Sequence, residues 1–128
     1  MKEIDYLKLK DSIYVEKESG TNVNYYIFDE FEIHINVLKP HTIQEWHYHS
    51  YIDENIVVTK GKLHCRYIED NKEKDVYIGK NEVLRVLHST HTIENDTDEE
   101  VEFIVFRFIP QGKDNKELIK SDKTVINK

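Results

Sequence analysis

One cysteine, two prolines and four glycines are all that the 128 residues hold of those three types. With Cys65 alone, no disulfide can form within the chain, so the fold must rest on packing and hydrogen bonding. Scarce proline and glycine leave no composition for a flexible linker. No repeat or low-complexity block divides the sequence, and a single domain over residues 1–128 is expected. Long apolar runs are missing too, which predicts no membrane-spanning segment. The opening MKEIDYLKLKDS alternates charge with aliphatics and lacks a signal peptide's apolar stretch, so a cytoplasmic location is expected. Positive charge is in short supply. The formal net charge is -7 and the Lys and Arg residues are interspersed with acids, which offers no basic face to nucleic acid. Eight Tyr, five Phe and one Trp within a 38% apolar composition exclude a disordered chain.

What is present is period-two alternation. Phe31, Ile33, Ile35 and Val37 are separated by Glu32, His34 and Asn36, so a strand here has one apolar and one polar face. Further short runs follow at 56–59, 63–67, 76–78 and 83–87. Residues 101–109 are apolar on both faces for most of their length, which predicts a central strand. Lys60-Gly61, the polar stretch 69–73 and the acidic stretch 95–100 read as hairpin turns. Short strands at such spacings predict an all-β sandwich or barrel. At the C-terminal end, residues 114–120 predict a helical turn or two with Asp114 as N-cap, and residues 124–126 a final edge strand.

The histidines are the chemical signal. His47 and His49 stand at i and i+2, so on a strand both imidazoles leave the same face. Two packed or surface histidines would read the same way in isolation. Glu54, after a chain reversal, adds a hard, negatively charged oxygen beside them, and His91 offers a third imidazole from a distant strand. Three imidazoles and a carboxylate would leave positions open on a five- or six-coordinate ion, as a catalytic or ligand-binding metal needs.

These segments resemble the two motifs of the cupin superfamily. The first reads G-x5-H-x-H-x3,4-E-x6-G. The chain supplies His47, His49, Glu54 and Gly61, with His41 in the place of the leading glycine. The second reads G-x5-P-x-G-x2-H-x3-N. Gly79, His91 and Asn95 match it with one additional residue, Val86 standing for the proline and His88 for the glycine. The resemblance covers residues 41–95. It implies a single jelly-roll β-barrel with its core at 23–109, a C-terminal extension at 110–128, and four ligands, His47, His49, Glu54 and His91, turned inward onto one divalent transition metal: Fe, Mn, Ni or Zn. It also implies a homodimer paired sheet to sheet.

Other residues carry weaker readings. Asp53 competes with Glu54, but a one-residue slip turns it to the other face. His88 is either a proton shuttle at the barrel mouth or a solvated turn residue. His34 and His64 are either exterior or cavity-lining, and His41 is placed in a loop. Arg85 reads as a surface arginine. Arg107, between Phe106 and Phe108, is a candidate to reach into the cavity and anchor an anion. Cys65 reads as a small buried hydrophobe. Trp46, Tyr48, Tyr51 and Tyr67 are either walls of a ligand pocket or barrel core. Three functions stay open: a metal-dependent enzyme on a small organic molecule, a small-ligand binding module, and a metal-free isomerase or epimerase of sugar nucleotides. No helix-turn-helix pattern accompanies them.

Overall fold

A computed structural model describes residues 3–110 and 116–126. A short 3-10 turn at Leu9–Asp11 leads into β1 (Ile13–Glu16), β2 (Thr21–Ile27), β3 (Phe31–Leu38), β4 (Thr42–Ile43), β5 (His47–Tyr48), β6 (Asp53–Lys60), β7 (Leu63–Glu69), β8 (Lys72–Ile78), β9 (Val83–Arg85), β10 (His91–Asn95) and β11 (Val101–Phe108), then α1 (Lys116–Ser121) and β12 (Thr124–Val125). Among the described residues two antiparallel sheets face each other as a jelly roll. One has the order β1-β2-β3-β11-β6-β9; the other runs β12-β5-β10-β7-β8, with β4 also on β10. β11 pairs along its length with β3 on one side and β6 on the other, the central place that its two apolar faces predict. The edge strand expected near the C-terminus is β12, on β5. The helix starts at Lys116; the proposed cap, Asp114, lies outside the described residues. No helix of the described residues is long and apolar enough to cross a membrane.

The amphipathicity of β3 is inverted relative to an ordinary half-buried strand. Glu32, His34 and Asn36 face the barrel interior and are buried, whereas Phe31, Ile33, Ile35 and Val37 lie half-buried on the outer face. Outside, Phe31 meets Phe106 at a ring separation of 5.3 Å. Apolar packing fills only one end of the barrel, where Leu38, Val58, Leu63, Ile93, Val101 and Phe103 belong to one cluster. The other end is a cavity whose wall mixes polar and apolar side chains. A smaller cluster of Ile52, Ile109 and Ile119 seats α1.

Two of the turns join sheets rather than adjacent strands, which corrects their reading as hairpins. Lys60-Gly61 carries the chain from β6 in one sheet to β7 in the other, and residues 96–100 carry it back from β10 to β11. Gly61 has φ +81, and a Cβ there would come within 3.1 Å of the Glu100 carbonyl, so close approach and backbone hand both require glycine. Asn95 fastens the second corner. Its Nδ2 donates to the carbonyls of Leu38, Lys39 and Glu99, and its Oδ1 accepts from the amide and hydroxyl of Thr97. The stretch between β7 and β8 is a true hairpin, with Asp70 and Asn71 both at positive φ as a type I′ turn requires.

His41, where the motif has its leading glycine, takes φ +55. In the second motif Asn81 is left-handed at φ +68, and near the motif's second glycine position the left-handed residue is Leu87 at φ +52, one position before the expected His88. The additional residue of that motif moves the turn. A left-handed L-residue costs about 1–2 kcal/mol, and Leu87 is 55% exposed, so its side chain recovers little. Leu87→Gly is therefore expected to raise stability by about 0.5–1 kcal/mol once glycine's extra unfolded-state entropy is subtracted. An unchanged or lower urea midpoint would rule out strain at this position.

Candidate functional site

Strand alternation turns His47 inward at the start of β5, and His49 follows in the loop beyond the strand, again inward. His91 opens β10 directly opposite His47. Glu54 enters from β6 in the facing sheet. One ligand-capable atom from each of the four lies within 4.8 Å of the others, and all four side chains are buried. The ring centroids of His47 and His91 are 4.4 Å apart, and those of His49 and His91 5.7 Å.

Backbone carbonyls set the tautomers. His47 Nδ1 lies 2.9 Å from the Glu45 carbonyl, His49 Nδ1 2.6 Å from that of Asp122, and His91 Nδ1 2.9 Å from that of Ser89. A carbonyl only accepts, so each Nδ1 carries the proton and, in the neutral ring, each Nε2 holds a lone pair. His91 Nε2 is buried with no hydrogen-bond partner. His49 Nε2 faces Glu54 Oε2 at 3.1 Å, where either a proton or a cation must lie between lone pair and carboxylate.

Burial, followed by the proximity of His91, pulls the His47 pKa down to about 4, and burial pulls His91 down as well. Burial alone would push Glu54 up. The His49 hydrogen bond and the Arg107 charge outweigh it and bring the carboxyl down to about 2. His47 and His91 are thereby held neutral beside an ionised Glu54 carboxylate, the state in which these groups can ligate a cation.

Around this group is a cavity of about 430 Å³, within the range of small-molecule sites. Arg107 lines it, with Nη2 donating to the Ile119 carbonyl at 2.7 Å and Nη1 3.8 Å from Glu54 Oε1. His34 lines it too, its Nε2 on Glu32 Oε1 at 2.8 Å and its ring edge-on to Tyr25. His64 takes the other option left open by the sequence. It lies on the outer face of its sheet, stacked on Tyr77 at 4.2 Å, with Nε2 2.8 Å from Asp75 and Nδ1 against Glu94.

Asp53 points away from the site and is covered by its pair with Arg85 at 2.7 Å, and Arg85 is the exposed partner. His88 is exposed, donates from Nδ1 to the His49 carbonyl and does not line the cavity, which favours the turn reading over the shuttle. Trp46, Tyr48, Tyr51 and Tyr67 do not line the cavity either. The alternation that turns His47 and His49 in turns Trp46 and Tyr48 out, and Arg66 lies over the Trp46 ring. Cys65 is buried in the apolar cluster, and burial pushes its thiol up to about 12, so it stays protonated and inert.

Sequence reasoning missed Asp122. Its carboxylate accepts from the consecutive backbone amides of Ser50, Tyr51 and Ile52 at 2.6–3.0 Å, and its carbonyl accepts from His49. One residue of the C-terminal segment thus holds both the His49 ring and the loop leading from it to Glu54. Nothing local in the sequence marks Asp122, because its partners lie 70–73 positions away.

No family model and no curated protein matches the sequence. Solved structures do. Bacillus subtilis oxalate decarboxylase OxdC is similar at a TM-score of 0.73 and 18% identity, over 94% of this chain and 32% of that one. The capsular polysaccharide assembling protein CapF from Staphylococcus aureus is similar at 0.67 and 24%, over 80% and 33%. CapF in complex with a tropolone inhibitor is similar at 0.72 and 21%, over 91% and 34%. The chain spans about a third of the length of these neighbours. Both are cupin-fold proteins, and this chain has the cupin fold.

Proposed function

We propose that the chain binds one divalent transition metal ion through His47, His49, Glu54 and His91, and acts on or binds a small organic molecule in the cavity beside it. The observation that carries this reading is the set of three imidazoles, each with Nδ1–H given to a carbonyl, whose Nε2 atoms converge with Glu54, one of them buried without a partner. Backbone carbonyls in that role orient ligating histidines and raise their basicity. Three neutral imidazoles and one carboxylate suit Fe, Mn, Ni or Zn alike. The Mn(II) centres of the oxalate decarboxylase neighbour make manganese the first ion to try. When bound, such an ion supplies Lewis acidity and, if it is iron, redox chemistry toward dioxygen. The protein supplies a cavity with Arg107 and the Glu32–His34 pair on its wall. Tyr25 against His34 keeps a metal-free acid–base reading, of the sugar-nucleotide isomerase kind, as the second choice.

Elemental analysis of untagged protein tests the first reading. About one equivalent of a transition metal is expected, either as purified or after incubation with Mn, Fe, Ni or Zn salts. A folded protein that arrives metal-free and takes up none of the four would overturn it in favour of the second.

A further inference from the structure

Three buried side-chain polar atoms among the described residues have no hydrogen-bond partner: His91 Nε2, Glu32 Oε2 and Arg107 Nε. Buried polar groups are nearly always paired, so each such atom calls for an explanation. All three belong to residues lining the same cavity. His91 Nε2 is accounted for by the proposed ion. The other two form a matched set, one acceptor and one donor. Glu32 and Arg107 are directly opposed on β3 and β11, and Arg107 is opposed in turn to Glu54 on β6. A row of carboxylate, guanidinium, carboxylate therefore crosses the inner face of one sheet and ends at the ligand group.

Neither orphan is free to turn elsewhere. Glu32 is 3% exposed, and its Oε1 accepts from His34 Nε2. Burial lowers the pKa of His34, so its ring is neutral and donates that one proton. Arg107 has Nη2 committed to the Ile119 carbonyl. The buried atoms of the pair left without a partner are Oε2, which accepts, and Nε–H, which donates.

We infer that Glu32 and Arg107 form the recognition end of the cavity for a small hydroxycarboxylate. Its carboxylate accepts from Arg107 Nε–H and its hydroxyl donates to Glu32 Oε2. The inference rests on the metal reading, because charge selects the class. With a divalent ion in place, Glu54 and Arg107 beside it and Glu32 opposite, the interior is left with one positive charge over, which one carboxylate neutralises. A donor that is itself an ammonium would meet both Arg107 and the ion, so a neutral hydroxyl fits where an amine does not. Lys17 and Lys120 also line the cavity and favour entry of an anion, whereas Lys123 beside them is paired with Glu45 at 2.8 Å.

Calorimetric titration of manganese-loaded protein tests this, with metal content measured on every sample. The probes are glycolate, lactate and malate, each against its deoxy counterpart acetate, propionate or succinate. Each hydroxy acid is expected to bind about tenfold more tightly than its partner, the effect of one hydrogen bond to a charged group. Chelation by the ion would give a preference of its own, so Glu32→Leu decides. That variant should keep its metal, bind the deoxy acids at least as tightly as before and lose most of the hydroxyl preference, with Glu32→Gln in between. Arg107→Met should weaken both members of every pair. If Glu32→Leu does not fold, a fall in preference in Glu32→Gln carries the test. Metal-loaded wild type that binds both members of each pair equally, or Glu32 variants that keep the full preference, would overturn the inference and leave the metal reading standing. Absence of metal uptake would remove both.

Discussion

His91→Ala is expected to stay folded and to lose metal affinity by more than about 100-fold, whereas Asp122→Ala is expected to lose both stability and part of the affinity. His91 faces the cavity, so truncation enlarges a space already present and gives up one hydrogen bond, to the Ser89 carbonyl. Its Nε2 is a buried ligand atom with no hydrogen-bond partner, so its removal tells directly on the ion. Asp122 works on the other side of the ring. Alanine there keeps the carbonyl that accepts from His49 but strips the acceptor from three successive amides at 50–52. Orphaned buried donors cost about 1–3 kcal/mol each, softened where water can reach the loop, so a loss of about 2–4 kcal/mol is expected. The carbonyl behind His49 survives in Asp122→Ala, so affinity falls only through the loosened 50–52 loop, and a loss at the low end of the usual effect of disturbing a ligand's support, about tenfold, is expected. Urea unfolding of the metal-free proteins and chelator competition on the loaded ones separate the two effects. Full metal retention in His91→Ala, or wild-type behaviour of Asp122→Ala, would sink this account of the site.

The metal-free protein should lose stability steadily as pH falls from 7 toward 4. His47 titrates near 6.5 in the unfolded chain and at about 4 in the fold. Between those values the unfolded chain takes up the proton and the folded chain does not. The linkage therefore favours unfolding as pH drops through that window and is absent above it. A shift of that size corresponds to about 3 kcal/mol. His34 and His91 are lowered in the same direction, again through burial. Glu54, brought down from 4.5 to about 2, adds stability that is complete above 4.5 and is lost below it, so both kinds of group destabilise the fold in acid. Urea midpoints measured in chelator at half-unit steps from pH 7.5 to 4.5 check this. A flat profile would mean that the histidines are not held neutral by burial.

Much of this was legible along the chain. The i, i+2 placement of His47 and His49 on an extended segment sets both rings on one face whatever the strand pairs with, and the same parity separates Glu54 from Asp53. The central place of β11 followed from its two apolar faces. Parity, however, names two faces without saying which is inside. In β3 the polar face went in, because Glu32, His34 and Asn36 line a cavity that a sheet-wide apolar core would have closed. Turn chemistry was read correctly at Asp70-Asn71, where the partner strands are neighbours in sequence. It was misread at Lys60-Gly61, because a glycine with positive φ serves a corner between sheets as well as a hairpin.

The sequence by itself determined the alternation, the ligand candidates and their common face, since these depend only on the two-residue repeat of an extended backbone. Tertiary structure alone decided that Asp122 would hold His49, that Arg107 would stand between Glu32 and Glu54, and that Leu87 would carry the left-handed turn. The first two depend on which segments meet when two sheets close on each other, over separations that no local pattern records. The third depends on how one additional residue is absorbed between strands whose ends are already fixed.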